Sequence, residues 1–330
     1  MTLSQLNLKD YPTITAYLSI TDPDDRPINL IDIKDLTVTE EEKPVGDLKI
    51  IEADPVTDPL SVVLAIDISG SMAGKPLEKA KNAAEAFVNL LEVGDKAAIV
   101  TFDQDVYQDM PLTDDKTALV NTIRGLKYKG DTALYQAIID SADVLKDAPD
   151  GRRIVIILTD GRNDKANSTS TKEDSVSAAG VGRAVVITVG LGNEINADVL
   201  KYIAEETGGR FFFAPKPEDL KEIYELISDQ IHAQYRLSFT SPFPERPDRV
   251  VLFHTIDVGL RYGGEKISGT REFLASTNPP PNTGILLDYQ KKNVAESEWQ
   301  AILYTLIAIA FVLLVVILLV LILKAVKARK

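Results

Sequence analysis

Residues 62–72 constrain this chain more than any other stretch. An unbroken apolar run, Val62, Val63, Leu64, Ala65 and Ile66, stops at Asp67 and gives way to Ile68, Ser69, Gly70, Ser71 and Met72. Strong helix formers follow from Pro76 to about residue 91. A strand that is apolar on both faces must be buried on both, which is the condition of a strand inside a parallel sheet. Passing from that strand through a tight turn into a helix puts the turn at the carboxyl end of the sheet. Open α/β sheets hold their ligands there. Asp67, Ser69 and Ser71 offer hard oxygen atoms, the donor type suited to Mg²⁺, Mn²⁺ or Ca²⁺. Gly70 allows the backbone to turn closely enough for both hydroxyls to face one point.

Two later segments carry matching residues. Thr132 follows Gly130 and Asp131 and is read as opening a helix over 132–138, and Asp160 ends a second apolar run over 154–158. The Asp-x-Ser-x-Ser element at 67–71, with Thr132 and Asp160 behind it in that order, resembles the metal-ion-dependent adhesion site of von Willebrand factor A domains. The resemblance covers roughly residues 58–232. It implies a doubly wound, mostly parallel α/β sheet. It also implies one divalent cation, Mg²⁺ in first place with Mn²⁺ or Ca²⁺ as alternatives, held by Asp67, Ser69, Ser71, Thr132 and Asp160. In that family an open position on the ion accepts an Asp or Glu side chain from a protein partner. Residues beside the five in sequence, Met72, Lys75, Tyr128, Lys129 and Arg162, are the candidate rim that such a partner would touch.

The rest of the core alternates between strand and helix patterns. Strands are expected over 97–102, 106–112, 153–158, 184–189 and 210–213, with 106–112 at an edge because Pro111 is tolerated there. Helices are expected up to residue 123, with Asp114 as the cap, over 132–145, 197–207 and 217–231. Residues 163–171 read as a polar loop, in which Asn167, Ser168 and Thr169 form a glycosylation sequon. Asp103 and Asp105 read as a turn rather than a second metal site.

On both sides of this core the pattern changes to period two. Ile14, Ala16, Leu18 and Ile20 alternate with polar residues, and 31–33, 36–39 and 48–51 are further strand candidates. Downstream, 235–239, 250–254, 256–258 and 271–274 repeat the pattern. The expectation is one β-sandwich built from residues 1–57 and 233–277, with the α/β domain of 58–232 inserted between its parts.

Beyond it lie a Pro-rich linker over 278–300, an apolar run over 301–323 and a basic tail over 324–330. At ~1.5 Å per residue the run spans about 34 Å, enough for a bilayer core of about 30 Å. Trp299 and Tyr304 suit the interface, and Lys324, Lys327, Arg329 and Lys330 place the tail in the cytoplasm. The large domain is then extracytoplasmic. That orientation needs an export signal, and residues 1–10 carry none, so the expectation is that it was removed or lies outside this chain. The alternative is a tail-anchored protein facing the cytosol, as a partner of a MoxR-type ATPase in assembly or metal insertion. Pro281, Asn282, Thr283 and Gly284 offer only a partial match to a sortase signal.

Composition narrows the function. The formal net charge of −13 argues against a nucleic-acid binder. With no Cys and only His232 and His254, thiol chemistry and Cys- or His-rich zinc sites have no material. No His-Glu-x-x-His, Gly-x-Ser-x-Gly or Gly-Lys-Ser/Thr phosphate loop is present. The expectation is therefore a binding protein rather than an enzyme, without a small-molecule substrate.

Overall fold

In a computed structural model of the chain, the structure describes residues 1–22, 25–28, 36–160, 170–243, 253–262 and 265–274. The two apolar runs do become central strands. β6 (Leu60–Asp67) and β9 (Arg152–Thr159) are buried along their whole length and pair in parallel. Around them stand β7 (Lys96–Phe102), β8 (Val106–Thr113), β10 (Val185–Leu191) and β11 (Phe211–Ala214), in the order β11-β10-β9-β6-β7-β8. Every pair is parallel except β7 with the edge strand β8, which carries Pro111.

The alternation along β6 divides the core. Val62, Leu64 and Ile66 meet α1 (Lys75–Leu90), α2 (Lys116–Gly125) and α6 (Leu220–His232) on one face. Val63 and Ala65 meet α3 (Leu134–Val144), α4 (Lys172–Gly182) and α5 (Ala197–Thr207) on the other. Phe87 of α1 and Tyr224 of α6 lock the first layer edge to face, their ring centroids 6.2 Å apart.

Two local details differ from the sequence expectation, and one helix was not foreseen. Asp115, not Asp114, caps α2, accepting from the Ala118 amide at 3.0 Å. Thr132 stands two residues before α3 rather than opening it, and Ala133 is the cap position. The chain between the polar loop and β10 forms α4, which carries no broad apolar stripe. Its buried residues are the small Ser175, Ala179 and Gly182. Its start is set by a capping box in which the Thr171 hydroxyl accepts from the Asp174 amide and the Asp174 carboxylate accepts from the Thr171 amide.

Strands from the two flanks of the α/β core pair with one another. One sheet has the order β1-β2-β12-β5, from β1 (Thr2–Asn7), β2 (Thr13–Ser19), β5 (Gly46–Glu52) and β12 (Tyr235–Thr240). The other has the order β14-β13-β3-β4, from β3 (Leu36–Glu40), β4 (Lys43–Pro44), β13 (Phe253–Tyr262) and β14 (Glu265–Leu274). Ile14, Leu18, Val38, Leu237, Phe239 and Val258 share the core between them. The break at 40–44 is a two-residue hairpin turn. Glu41 and Glu42 both take positive φ, 49° and 63°, which matches the strand twist. The strand candidate at 31–33, the sequon at Asn167, the linker, the apolar run at 301–323 and the basic tail lie outside the described residues. Among the described residues no helix is long and apolar enough to cross a membrane.

Buried polar groups tie the sandwich to the α/β domain. Arg152 is fully buried and donates to the carbonyls of Asp58 at 2.9 Å and Ile231 at 2.6 Å. The Asp58 carboxylate accepts from Tyr17 of β2 at 2.8 Å and from Arg236 of β12 at 3.0 Å. Close by, His232 at the end of α6 lies 3.1 Å from the Asp95 carboxylate and 2.8 Å from the Ser228 carbonyl.

Burial works against a charged His232, but the two acceptors outweigh it and hold its pKa above the ordinary histidine value. Burial likewise works against an ionised Asp95, but hydrogen bonds from His232 and from the Glu92 and Leu60 amides bring its pKa below the ordinary value. The pair's contribution to stability is then complete between the two ordinary pKa values. It is lost as pH rises through the raised value of His232 or falls through the lowered value of Asp95. Urea unfolding at pH 6 and pH 8.5 is expected to show a loss of stability with rising pH that His232→Ala diminishes. An equal loss in both proteins would remove the pair from the account.

Candidate metal centre

The end of β6 is fastened before the turn begins. The Ile68 amide donates to the Phe102 carbonyl of β7 at 2.9 Å, so Asp67 and Phe102 leave the sheet side by side. Residues Gly70–Met72 then make one short helical turn ahead of α1. Inside it the Asp67 carboxylate accepts from the Ser69 amide at 2.8 Å and from the Thr159 hydroxyl at 2.6 Å. The Ser69 and Ser71 hydroxyl oxygens are 3.0 Å apart, and Ser71 donates to Asp160 at 2.7 Å. Four of the five expected ligands are thus linked in one chain of hydrogen bonds, drawn from the ends of two adjacent parallel strands.

Thr132, the fifth, is 3% exposed on the neighbouring loop. That loop is bonded to the same turn. The Lys129 amide donates to the Ile68 carbonyl at 2.6 Å, and the Gly70 amide donates to the Gly130 carbonyl at 2.9 Å.

The electrostatics of the cluster are unbalanced. Burial pushes the Asp67 carboxyl up to about 6, although hydrogen bonds from Ser69 and Thr159 act against the rise; the nearby charge of Asp160 adds to it. Burial also pushes the Asp160 carboxyl up. The donor set, two carboxylates with serine and threonine hydroxyls, fits a hard divalent cation. Among the described residues no group of three or more His, Cys, Asp or Glu side chains is placed to hold a metal ion.

The candidate rim separates into parts. Met72 is not a rim residue: its side chain is completely buried beneath the turn with Ile66, Ile68 and Leu77, because the short helical turn points it into the core. Lys75 is exposed and paired with Glu218. Tyr128 is 57% exposed. The Lys129 ammonium lies 3.8 Å from the centroid of the Tyr107 ring, and 4.0 Å from Asp103. Arg162 lies outside the described residues. Sequence reading gave Asp103 no role beyond a turn, yet it is 1% exposed, and its carbonyl accepts from the Ala133 amide at 2.6 Å. Its neighbour Phe102, at the end of a mostly apolar strand beside β6, was the available signal.

Comparison with known proteins agrees with this geometry. The profile of the von Willebrand factor type A domain matches residues 61–226, about half of the chain. An uncharacterized protein of Synechocystis sp. is 29% identical over 178 residues, covering 52% of this chain and 42% of the relative. The human inter-alpha-trypsin inhibitor heavy chain H3 is 29% identical over 164 residues, covering 46% of this chain and 18% of the relative. The match therefore spans less than half the length of either relative. Among solved structures, a von Willebrand factor type A protein of Catenulispora acidiphila aligns over 82% of this chain and 72% of its own, with a TM-score of 0.50 and 13% identity. That last likeness is one of fold. With the profile match lying over the strand ends and turns just described, this chain belongs to the von Willebrand factor type A domain family.

Proposed function

We propose that the protein is a membrane-anchored binding module that takes an Asp or Glu side chain of a protein partner onto a divalent cation. The cation, Mg²⁺ in first place, is held by Asp67, Ser69, Ser71, Thr132 and Asp160. The observation that carries this reading is the hydrogen-bonded chain from Thr159 through Asp67, Ser69 and Ser71 to Asp160. Its two carboxylates, Asp67 fully buried and Asp160 half-buried, have their pKa values raised by burial. A bound cation supplies the missing positive charge, and with so few carboxylates around it part of that charge is left for an incoming acid. Lys129 and the exposed Tyr128 flank the site as contacts for the partner's neighbouring residues. The reading is one of recognition, without a catalytic step. The apolar run at 301–323 and the basic residues behind it anchor the module with its large domain outside.

The test is a pull-down from native membranes with the full chain in Mg²⁺, in chelator, and as the Asp67→Ala variant. Partners are expected only from the wild type in Mg²⁺, and equal recovery in all three would end the proposal. Protease treatment of intact cells reads the orientation. Cleavage of the large domain in sealed cells is expected, and protection would place it in the cytosol.

A further inference from the structure

We propose that Asp103 is a positioning residue of the metal centre that acts through Thr132, an assignment that rests on the metal reading above. Thr132 lies on a loop with two kinds of attachment. On its amino-terminal side, Lys129 and Gly130 are bonded to the turn that carries Ser69 and Ser71. On its carboxyl-terminal side, the Ala133 amide is held by the Asp103 carbonyl at 2.6 Å. The threonine is therefore strung between the serine turn and Asp103, and its distance from the serines depends on where Asp103 stands.

Asp103 is itself fixed by its own side chain. Its Oδ1 accepts from the Asp105 amide at 2.8 Å, while its amide donates to the Asp105 carbonyl at 2.9 Å. This closes a small turn at the end of β7 and aims the Asp103 carbonyl at the loop. The carboxylate is also the surface on which the loop rests. Gly130 has φ of +71°, and a Cβ there would lie 2.7 Å from Asp103 Oδ2, so only glycine lets the backbone approach so closely. The ammonium of Lys129 stands 4.0 Å from the same oxygen, but its side chain is 53% exposed, so the ion pair contributes little. The hydrogen-bond geometry of the carboxylate therefore matters more than its charge. An Asn at 103 keeps the acceptor for Asp105 and an Ala does not.

Binding of Mn²⁺ to the full chain in detergent, measured by calorimetry, reads the assignment. Asp103→Ala is expected to weaken binding by about 10-fold or more, the effect of losing a residue that orients a ligand. Asp103→Asn is expected to keep most of the affinity. Thr132→Ala combined with Asp103→Ala is expected to bind as Thr132→Ala alone, because the two act as one unit. Amide exchange in chelator supplies a readout without metal: Asp103→Ala should speed exchange at 129–133 and at Gly70, whose amide is held by the Gly130 carbonyl, and leave Ile68 and Ser69, bonded to Phe102 and Asp67, unchanged. Gly130→Ala, which leaves Asp103 intact, should do the same to exchange and affinity.

Wild-type affinity in Asp103→Ala, penalties that add in the double variant, or unchanged exchange at 129–133 would each overturn the assignment alone. A wild-type chain that takes up no cation would overturn the metal reading and this assignment with it.

Discussion

Replacing Asp67 by Asn is expected to abolish cation uptake while making the metal-free protein more stable at neutral pH. The first effect follows from removing the charge at the end of β6. The loss should exceed the 10- to 100-fold (about 100-fold at the upper end) that removal of an outer partner costs a metal site. The second follows from the sign of the pKa change. Without a cation, burial raises the Asp67 carboxyl from 3.8 to about 6. An acid whose pKa is raised by folding contributes stability below its unfolded value and loses it as pH rises through the folded value. Ionised at neutral pH, this carboxyl costs the metal-free fold about 3 kcal/mol.

Asn keeps an acceptor for the Ser69 amide, and its NH₂ donates to the Thr159 hydroxyl oxygen in place of accepting from it, so the cluster is preserved without the charge. Thermal unfolding in chelator should therefore show the wild type weakening between about pH 4 and about pH 6, near these two pKa values, and the variant holding level. Saturating Mg²⁺ should raise the melting temperature of the wild type only. A variant less stable than wild type in chelator would show that the hydrogen bonds of the carboxylate outweigh its buried charge.

Arg152→Ala is expected to cost about 3–5 kcal/mol, the range for breaking a buried charged network on one side. The guanidinium satisfies two buried carbonyls, Asp58 before β6 and Ile231 at the end of α6. Removing it leaves both without that donor and opens a cavity where the largest fully buried side chain stood. The Asp58 carboxylate, bound to Tyr17 and Arg236, belongs to the same junction. The damage should thus reach the sandwich as well as the α/β domain. Urea unfolding followed by two probes, one in each part, reads this. Loss confined to one part would mean that the junction does not couple them.

Residues whose environment is set by their neighbours in sequence were the legible ones. The apolar runs of β6 and β9 announced burial on both faces, and the oxygen-rich turn after β6 announced the group of oxygen donors gathered at the strand ends. Pro111 marked an edge. What could not be read depends on packing partners distant in sequence. The α4 helix hides its buried side behind Ser175, Ala179 and Gly182, since Gly182 must let the helix approach Ala142, where a Cβ would meet the carbonyl at 2.9 Å. Its one local signal was the Thr171 and Asp174 capping box. Arg152 fell just outside the strand expected over 153–158, and only the fold shows its two carbonyl partners. Met72 lies beside Ser71 in sequence but on the opposite side of the turn in space, so adjacency alone misplaced it at the rim.

Within the sandwich, Glu52 at the end of β5 stands opposite Tyr235 at the start of β12. These two antiparallel strands therefore form a β-hairpin whose loop is the entire α/β domain. A loop's closing cost grows only with the logarithm of its length, so a folded domain is tolerated where two residues would normally do. Under the proposed function, a pull on a bound partner would leave the α/β domain through neighbouring strands of one sheet, and both would share the load.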